Sequence, residues 1–288
     1  MFFHDKRMQY NAKPDRPDPV YAKKLQEVLG GQWGEMTVAM QYLFQGWNCR
    51  GPMKYRDMLM DIGTEELAHV EMLATMIARL LENAPVSEQE AAAKHPIVGG
   101  VMGGASKDDL IVGAVNPQHF IVTGQGAAPT DSVGFPWTSR YMIASGNLMA
   151  DFRANVTAES QGRLQVTRLY EMTDDNGVRD LLSFLIARDS YHQFQWLRAI
   201  EELEAEGVDA TPVPISFPRD REHPDAAYQF WNCSVGTQSA GGAWAKGNFD
   251  GGNIRYVSDP VPMGPEPELG TPEPRLHAMR PEAVKKVA

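Results

Sequence analysis

The sequence predicts an all-α fold: four long helices in two antiparallel hairpins, a long crossover between the hairpins, and an extended, mostly irregular tail. Three observations carry this. Four segments space their apolar residues at steps of three and four, the period of a one-faced helix. Each segment is near 30 residues, against a usual globular helix of about 11–12. Short connections join the first helix to the second and the third to the fourth, whereas a long Gly-, Pro- and Ala-rich stretch separates the pairs.

The first helix is expected over 18–47 and the second over 53–83, ended by Pro85; Gly51 and Pro52 break the chain between them. The third is expected over 145–173 and the fourth over 177–206, followed by Gly207, with Asp174, Asp175 and Asn176 as the connection. Short connections make antiparallel neighbours, and two hairpins joined by one long crossover, here about 84–140, are the ferritin-like arrangement. Residues 1–210 then form the bundle domain. Residues 211–288 have no helical period and hold many of the prolines and glycines. Trp231, Trp244, Phe249 and Tyr256 in that tail favour packing on the bundle or on a neighbouring subunit over a free coil.

Composition sets the outer limits. Apolar residues at 43% and charged residues at 22% read as a soluble globular chain. With 27 basic and 37 acidic side chains, the formal charge of −10 argues against nucleic acid or an anionic membrane as partner. Two cysteines, Cys49 and Cys233, make neither a disulfide framework nor a CxxC metal motif, and fit a reducing cytoplasmic setting. The N-terminal segment lacks the apolar core of a signal peptide, and no run of about 18 apolar residues suggests a membrane span.

Chemistry enters where the apolar stripes are interrupted. The second helix reads Leu59, Ile62, Glu66, His69, Leu73, Ile77, Leu80 along one face, and the fourth reads Leu182, Leu185, Asp189, His192, Trp196, Ile200, Leu203. The third carries Phe152, Val156, Glu159, Arg163, Val166, and the first carries Val28, Glu35, Val38, Tyr42, Leu43. Burying an unpaired carboxylate costs several kcal/mol, roughly, so a core with this many needs compensation. Residues three apart share a helix face, so an acid-x-x-His pair can grip one ion, and cations neutralise several carboxylates at once. Glu35 precedes Glu66 by 31 positions and Glu159 precedes Asp189 by 30. At about 1.5 Å per residue, Glu35 and Glu66 both lie roughly 22–24 Å from the turn near residue 51, and the other hairpin gives nearly the same figures. All six groups should therefore share one level of the bundle, the di-metal carboxylate pattern. Glu65 and Glu71 lie off the stripe and read as solvated or outer groups. His4, His95, His119, His223 and His277 lack helical partners and read as surface or loop residues. Met58, Met60, Met72 and Met76 read as core filler.

Several long segments resemble the non-haem manganese catalases: MQYNAKPDRPDP, LGGQWGEMTVAMQYLFQGW, DIGTEELAHVEMLATMI, APTDSVGFPW, AESQGRLQVTRLYEMTDD and LIARDSYHQFQW. The resemblance covers about 200 residues, the four helices and part of the crossover, and continues weakly into the tail. It implies that Glu35, Glu66, His69, Glu159 and His192 hold two manganese ions per subunit, with Glu66 bridging. Asp189 falls where the family carries a Glu that handles protons, so this chain has the shorter acid. Tyr42 matches a tyrosine bonded to a ligand carboxylate. Ala158 stands where some members carry a basic residue, which implies a more open or less charged entrance. The resemblance further implies a calcium ion held by Asp57 and Asp61 with Asn232, Ser234 and Gly236, hard oxygen donors that suit calcium, and a homohexamer with wrapping tails.

The implied activity is decomposition of hydrogen peroxide to water and dioxygen at a dimanganese centre alternating between reduced and oxidised states, with Asp189 or a freed ligand moving protons. An oxygen-rich ligand set suits manganese or iron and does not choose between them. Two alternatives use the same fold: a di-iron oxidase or iron store, and a structural, coat-type homologue with little activity.

Overall fold

The computed structural model describes residues 4–82, 118–214, 217, 219–224, 226–249, 251–268, 270 and 275. The crossover between 83 and 117, with His95, and the position of His277 lie outside the described residues. The chain forms two compact units, Met1–Pro212 and Val213–Ala288.

The first unit holds α1 (Pro19–Gly30), α2 (Glu35–Asn48), α3 (Met53–Leu80), the short α4 (Gln118–Ile121), α5 (Leu148–Glu171) and α6 (Asn176–Ala205). The expected first helix is thus two helices, a correction with a local cause. Gly30, Gly31 and Gly34 flank the break, and Gly34 is the N-cap of α2. A side chain on Gly30 would collide with the backbone of Thr130, so the break and the crossover segment fit against each other. The starts of α1, α5 and α6 are held by carboxylate or amide caps, each supplying an acceptor that a helix start lacks, whereas α3 begins after Pro52 with no side-chain cap. The Asp18 side chain accepts from Tyr21 N, Asn147 from Ala150 N, and Asp175 from Val178 N. Asp175 also accepts from the backbone of Asp15 and Arg16, which ties the N-terminal arm to the start of α6.

The helices pack as two hairpins, α2 with α3 and α5 with α6, and α1 lies against α3 and α5. Their buried faces form two apolar clusters along the bundle. One holds Leu25, Val28, Leu73, Ile77, Leu169, Leu182 and Leu185. The other holds Tyr42, Leu59, Ile62, Phe152, Trp196 and Leu203. Between them each long helix contributes polar residues instead: Glu35, Glu66 and His69, Glu159, and Asp189 and His192, all buried.

The crossover returns to the bundle through residues 128–137. Gln26 Nε2 donates to the carbonyls of Ala128 (2.6 Å) and Thr130 (2.8 Å), and its Oε1 accepts from Ala128 N (3.0 Å). Trp137 Nε1 donates to Thr37 Oγ1 at 3.0 Å, and Ser132 bonds Glu27. His119, read from the sequence as a surface or loop residue, is fully buried, because the crossover lays α4 on α1 and sets its Nε2 3.1 Å from Gln26 Oε1. His4 and His223 are exposed.

The second unit is mostly irregular. A parallel pair joins β1 (Gln229–Trp231) to β4 (Arg255–Val257), and an antiparallel pair joins β2 (Asn248–Phe249) to β3 (Gly252–Asn253). The Phe230 and Tyr256 rings stack across the first pair with centroids 5.3 Å apart.

His119 generates a prediction. Burial, with Lys23 nearby, lowers its pKa to about 4 from an ordinary 6.5. Gln26 Oε1 already accepts, so Nε2 carries the proton, and Nδ1 is buried with no hydrogen-bond partner for a second one. The unfolded chain therefore binds the extra proton first. Stability from this group is complete above about pH 6.5 and is lost as pH falls toward about 4. Denaturant midpoints measured from pH 7 to pH 4 should drop less steeply in His119→Gln than in the wild type; parallel curves would refute it.

Candidate metal centre

Four helices bring six titratable side chains to one level. Glu35 opens α2, where the helix N-terminus favours a negative group. Glu66 and His69 sit three apart in the middle of α3, as do Asp189 and His192 in α6, and Glu159 lies midway along α5. Glu66, His69 and His192 are 0% exposed, and Glu35, Glu159 and Asp189 no more than 5%.

Their arrangement is nearly symmetric about Glu66. His69 Nδ1 lies 2.7 Å from Glu66 Oε2 and 3.7 Å from Glu35 Oε2. His192 Nδ1 lies 2.7 Å from Glu66 Oε1 and 4.0 Å from Glu159 Oε1. Two ligand clusters result, Glu35 with Glu66 and His69, and Glu66 with Glu159 and His192, each with donor atoms within 4.8 Å of one another. Both Glu66 oxygens and both Nδ1 atoms are buried without an aligned hydrogen bond. Such atoms are costly unless something sits between them. Two cations would satisfy all four, and two divalent charges would balance the four buried carboxylates, so the donor set fits a metal pair.

In the metal-free chain the centre compensates with protons. Burial and then Glu66 push Glu35 up to about 8. Burial, Glu66 and Asp189 raise Glu159 well above the carboxylate range, and burial, Glu35 and Glu66 do the same for Asp189. Burial works against a charged His192, yet Glu66 and Glu65 carry it up to about 10, and His69 shifts the same way. Burial likewise opposes ionised Glu66, but His69 and His192 hold its pKa below the usual range. A site that gathers protons when empty of cations releases them when cations bind.

Of the other residues singled out in the sequence, Tyr42 is fully buried and its hydroxyl donates to Glu159 Oε1 at 2.6 Å. Burial and Glu159 raise its pKa well above 10, so it remains a donor. Asp189 joins neither ligand cluster. Ala158 is buried in the apolar cluster around Tyr42 and Trp196. Asp57 and Asp61 are exposed, one turn apart on α3, and belong to neither cluster. In the second unit Asn232 Nδ2 donates to Gly236 O at 2.9 Å and Ser234 Oγ to Asn232 Oδ1 at 3.4 Å. Glu71 pairs with exposed His4 at 3.0 Å.

Three contacts escaped the sequence reading. Trp196 Nε1 donates to Glu159 Oε1 at 3.4 Å. Arg188 bonds Glu65, and Gln9 of the N-terminal arm bonds the same carboxylate. The first two had a signal. Trp196 is on the stripe, and Glu65 and Arg188 each precede the buried acid of their helix by one residue, a step of about 100° to the stripe's edge. Gln9 had none.

Tyr42→Phe removes a 2.6 Å bond to a buried carboxyl and leaves Glu159 with the longer Trp196 contact. The expected loss is about 1–3 kcal/mol of unfolding free energy, read by denaturant titration; an unchanged midpoint would show the bond to be immaterial.

Comparisons with known proteins identify the family. A family model described as "Manganese containing catalase" matches residues 1–288. The chain is 57% identical over 280 residues to the Bacillus subtilis protein named "Uncharacterized protein YjqC", covering 96% of this chain and 97% of that one. It is 55% identical over 278 residues to a Bacillus subtilis manganese catalase, with the same coverage. Among solved structures, KatB, a manganese catalase from Anabaena PCC7120, superposes with a TM-score of 0.69 at 26% identity, covering 90% of this chain and all of that one. A full-length family match, more than half the residues shared with a named relative, and a common helical bundle together place this chain in the manganese-containing catalase family.

Proposed function

We propose that this chain decomposes hydrogen peroxide to water and dioxygen, with Glu35, Glu66 and His69 holding one manganese ion, Glu66, Glu159 and His192 the other, and Glu66 shared. The observation that carries this is the pair of imidazole Nδ1 atoms at 2.7 Å from the two oxygens of one buried carboxylate, none of them in an aligned hydrogen bond. A bound manganese pair supplies the two electrons that each half of peroxide dismutation exchanges. The chain's own residues do the rest. Reducing one peroxide to two waters takes up two protons, and oxidising a second to dioxygen returns two. Asp189 is our candidate to keep one of them: it is buried, belongs to neither cluster and lies three residues before His192 on α6. Tyr42 holds Glu159 in one orientation through its 2.6 Å bond. The apolar clusters on either side keep larger reductants from the centre.

The same proposal includes a homohexamer. No helix among the described residues is long and apolar enough to cross a membrane; a cytoplasmic setting belongs to the same proposal.

Elemental analysis with oxygen evolution from peroxide tests the reading. Two manganese ions per chain with rapid gas release are expected; an iron-loaded chain that releases none would favour the di-iron alternative. Glu66→Ala should lose the metal pair and all turnover while far-ultraviolet circular dichroism stays near wild type, and full activity there would refute the assignment. Asp189→Ala should keep its manganese and turn over on the order of 10²-fold or more slowly. Loss of both ions in that variant would make Asp189 a ligand.

A further inference from the structure

One carboxylate outside the ligand clusters faces both imidazoles, hydrogen-bonded to one and within ion-pair reach of the other. His192 Nε2 lies 3.0 Å from Glu65 Oε2, and His69 Nε2 lies 3.8 Å from Glu65 Oε1. The opposite nitrogen of each ring, Nδ1, faces Glu66. A neutral imidazole has one N–H, and an ionised carboxylate can only accept. Glu65 therefore selects the tautomer protonated on Nε2 in His192 through a hydrogen bond and favours it in His69 by its charge alone, since His69 Nε2 makes no hydrogen bond, and so leaves both Nδ1 lone pairs for cations. Glu65 is itself braced. Arg188 grips it with two parallel bonds, Nε to Oε1 at 2.6 Å and Nη2 to Oε2 at 3.0 Å, and Gln9 Nε2 donates to Oε1 at 2.8 Å. A fork of this kind fixes the plane of the carboxylate as well as its charge. The brace crosses from α3 to α6, so one side chain can aim imidazoles that reside on different helices.

We infer that Glu65 is a positioning residue for the metal-binding imidazoles, setting the tautomer and tilt of His192 through its hydrogen bond and biasing the tautomer of His69 by its nearby charge, and that Arg188 acts through it. The inference rests on the two-ion reading above. Such outer partners are worth about 10–100-fold in metal affinity. The competing role is a plain tie between α3 and α6, which would move folding stability and not affinity. Full-length protein, stripped of metal and titrated with manganese against a chelator of known affinity, separates them, alongside denaturant unfolding of the metal-free chains. Glu65→Ala is expected to weaken manganese binding by about 10–100-fold. Arg188→Ala is expected to weaken it less, and the double variant to bind no worse than Glu65→Ala alone. Where the alanine variant does not fold, Glu65→Gln serves, since its amide presents N–H to an imidazole and should also weaken binding. Unchanged affinity in the Glu65 variants, with only the metal-free stability lowered, overturns the inference while leaving the two-ion reading intact. So does a double variant whose loss is the product of the two single losses. A wild-type chain that takes up no manganese overturns the two-ion reading and the inference together.

Discussion

Four carboxylates held at one depth of an apolar bundle is the constraint on which the rest of this fold turns. Glu35, Glu66, Glu159 and Asp189 repel one another where water cannot screen them; burial and that repulsion push Glu35, Glu159 and Asp189 toward the neutral form, while His69 and His192 keep Glu66 ionised. The chain supplies two imidazoles, a phenol and an indole as partners, which is too little positive charge to ionise all four. Protons or cations must make up the difference. Because the centre sits between two apolar clusters that clamp the same helices on either side, the choice between them is felt by the whole bundle. Metal binding, proton release and stability are therefore one linked equilibrium.

Keeping the four acids level requires the helices to keep their register, and the polar contacts at their ends do this. Asp151 accepts from Ser145 N and Oγ and from Gly146 N, fixing the entry to α5. Asp175 fixes α6 and the N-terminal arm together. Behind the centre, Gln41, Gln45 and Asn155 form a buried amide network between α2 and α5 that also holds Ile143 N and O. A satisfied buried network permits few alternative alignments, since a slip of one residue would orphan several groups at once.

The sequence made the bundle legible because its signals are local and repeated: apolar period, short Gly and Pro turns, equal lengths. The level of the site was legible for a related reason. The distance from Glu35 to its turn lies entirely within α2, an unbroken helix, so the unforeseen break at 31–34 falls on the far side of the measurement. That break was hidden because a helical stripe runs through it; Gly30 is required by the approach of Thr130 from the crossover, and Gly31 and Gly34 by the carbonyls of Glu27, Val28 and Leu29 as the chain turns back on α1. His119 was misread for the same reason, its partner being Gln26, 93 residues away. Periodicity reports which face of an element is buried; it is silent about what a distant loop lays on top.

Asp189 shows how a one-atom change can be weighed against geometry. The resemblance places a longer acid at this position, and the Asp reaches about one methylene less far. Were it required to bind an ion, that shortening would be severe, because a ligand must meet its metal at a fixed distance. A proton relay is more forgiving, since it needs an acid whose two protonation states are close in energy and a path that a peroxide or water molecule can bridge. The neighbours that raise Asp189 are Glu35 and Glu66, acids belonging to the ligand clusters, and His69 and His192 work the other way. Its protonation is thus tied to the charge of the centre itself: any change in positive charge between the carboxylates shifts the proton on Asp189 in the opposite sense. A side chain with that coupling, and with no part in either cluster, is suited to holding one of the two protons that one half-reaction yields and the other consumes.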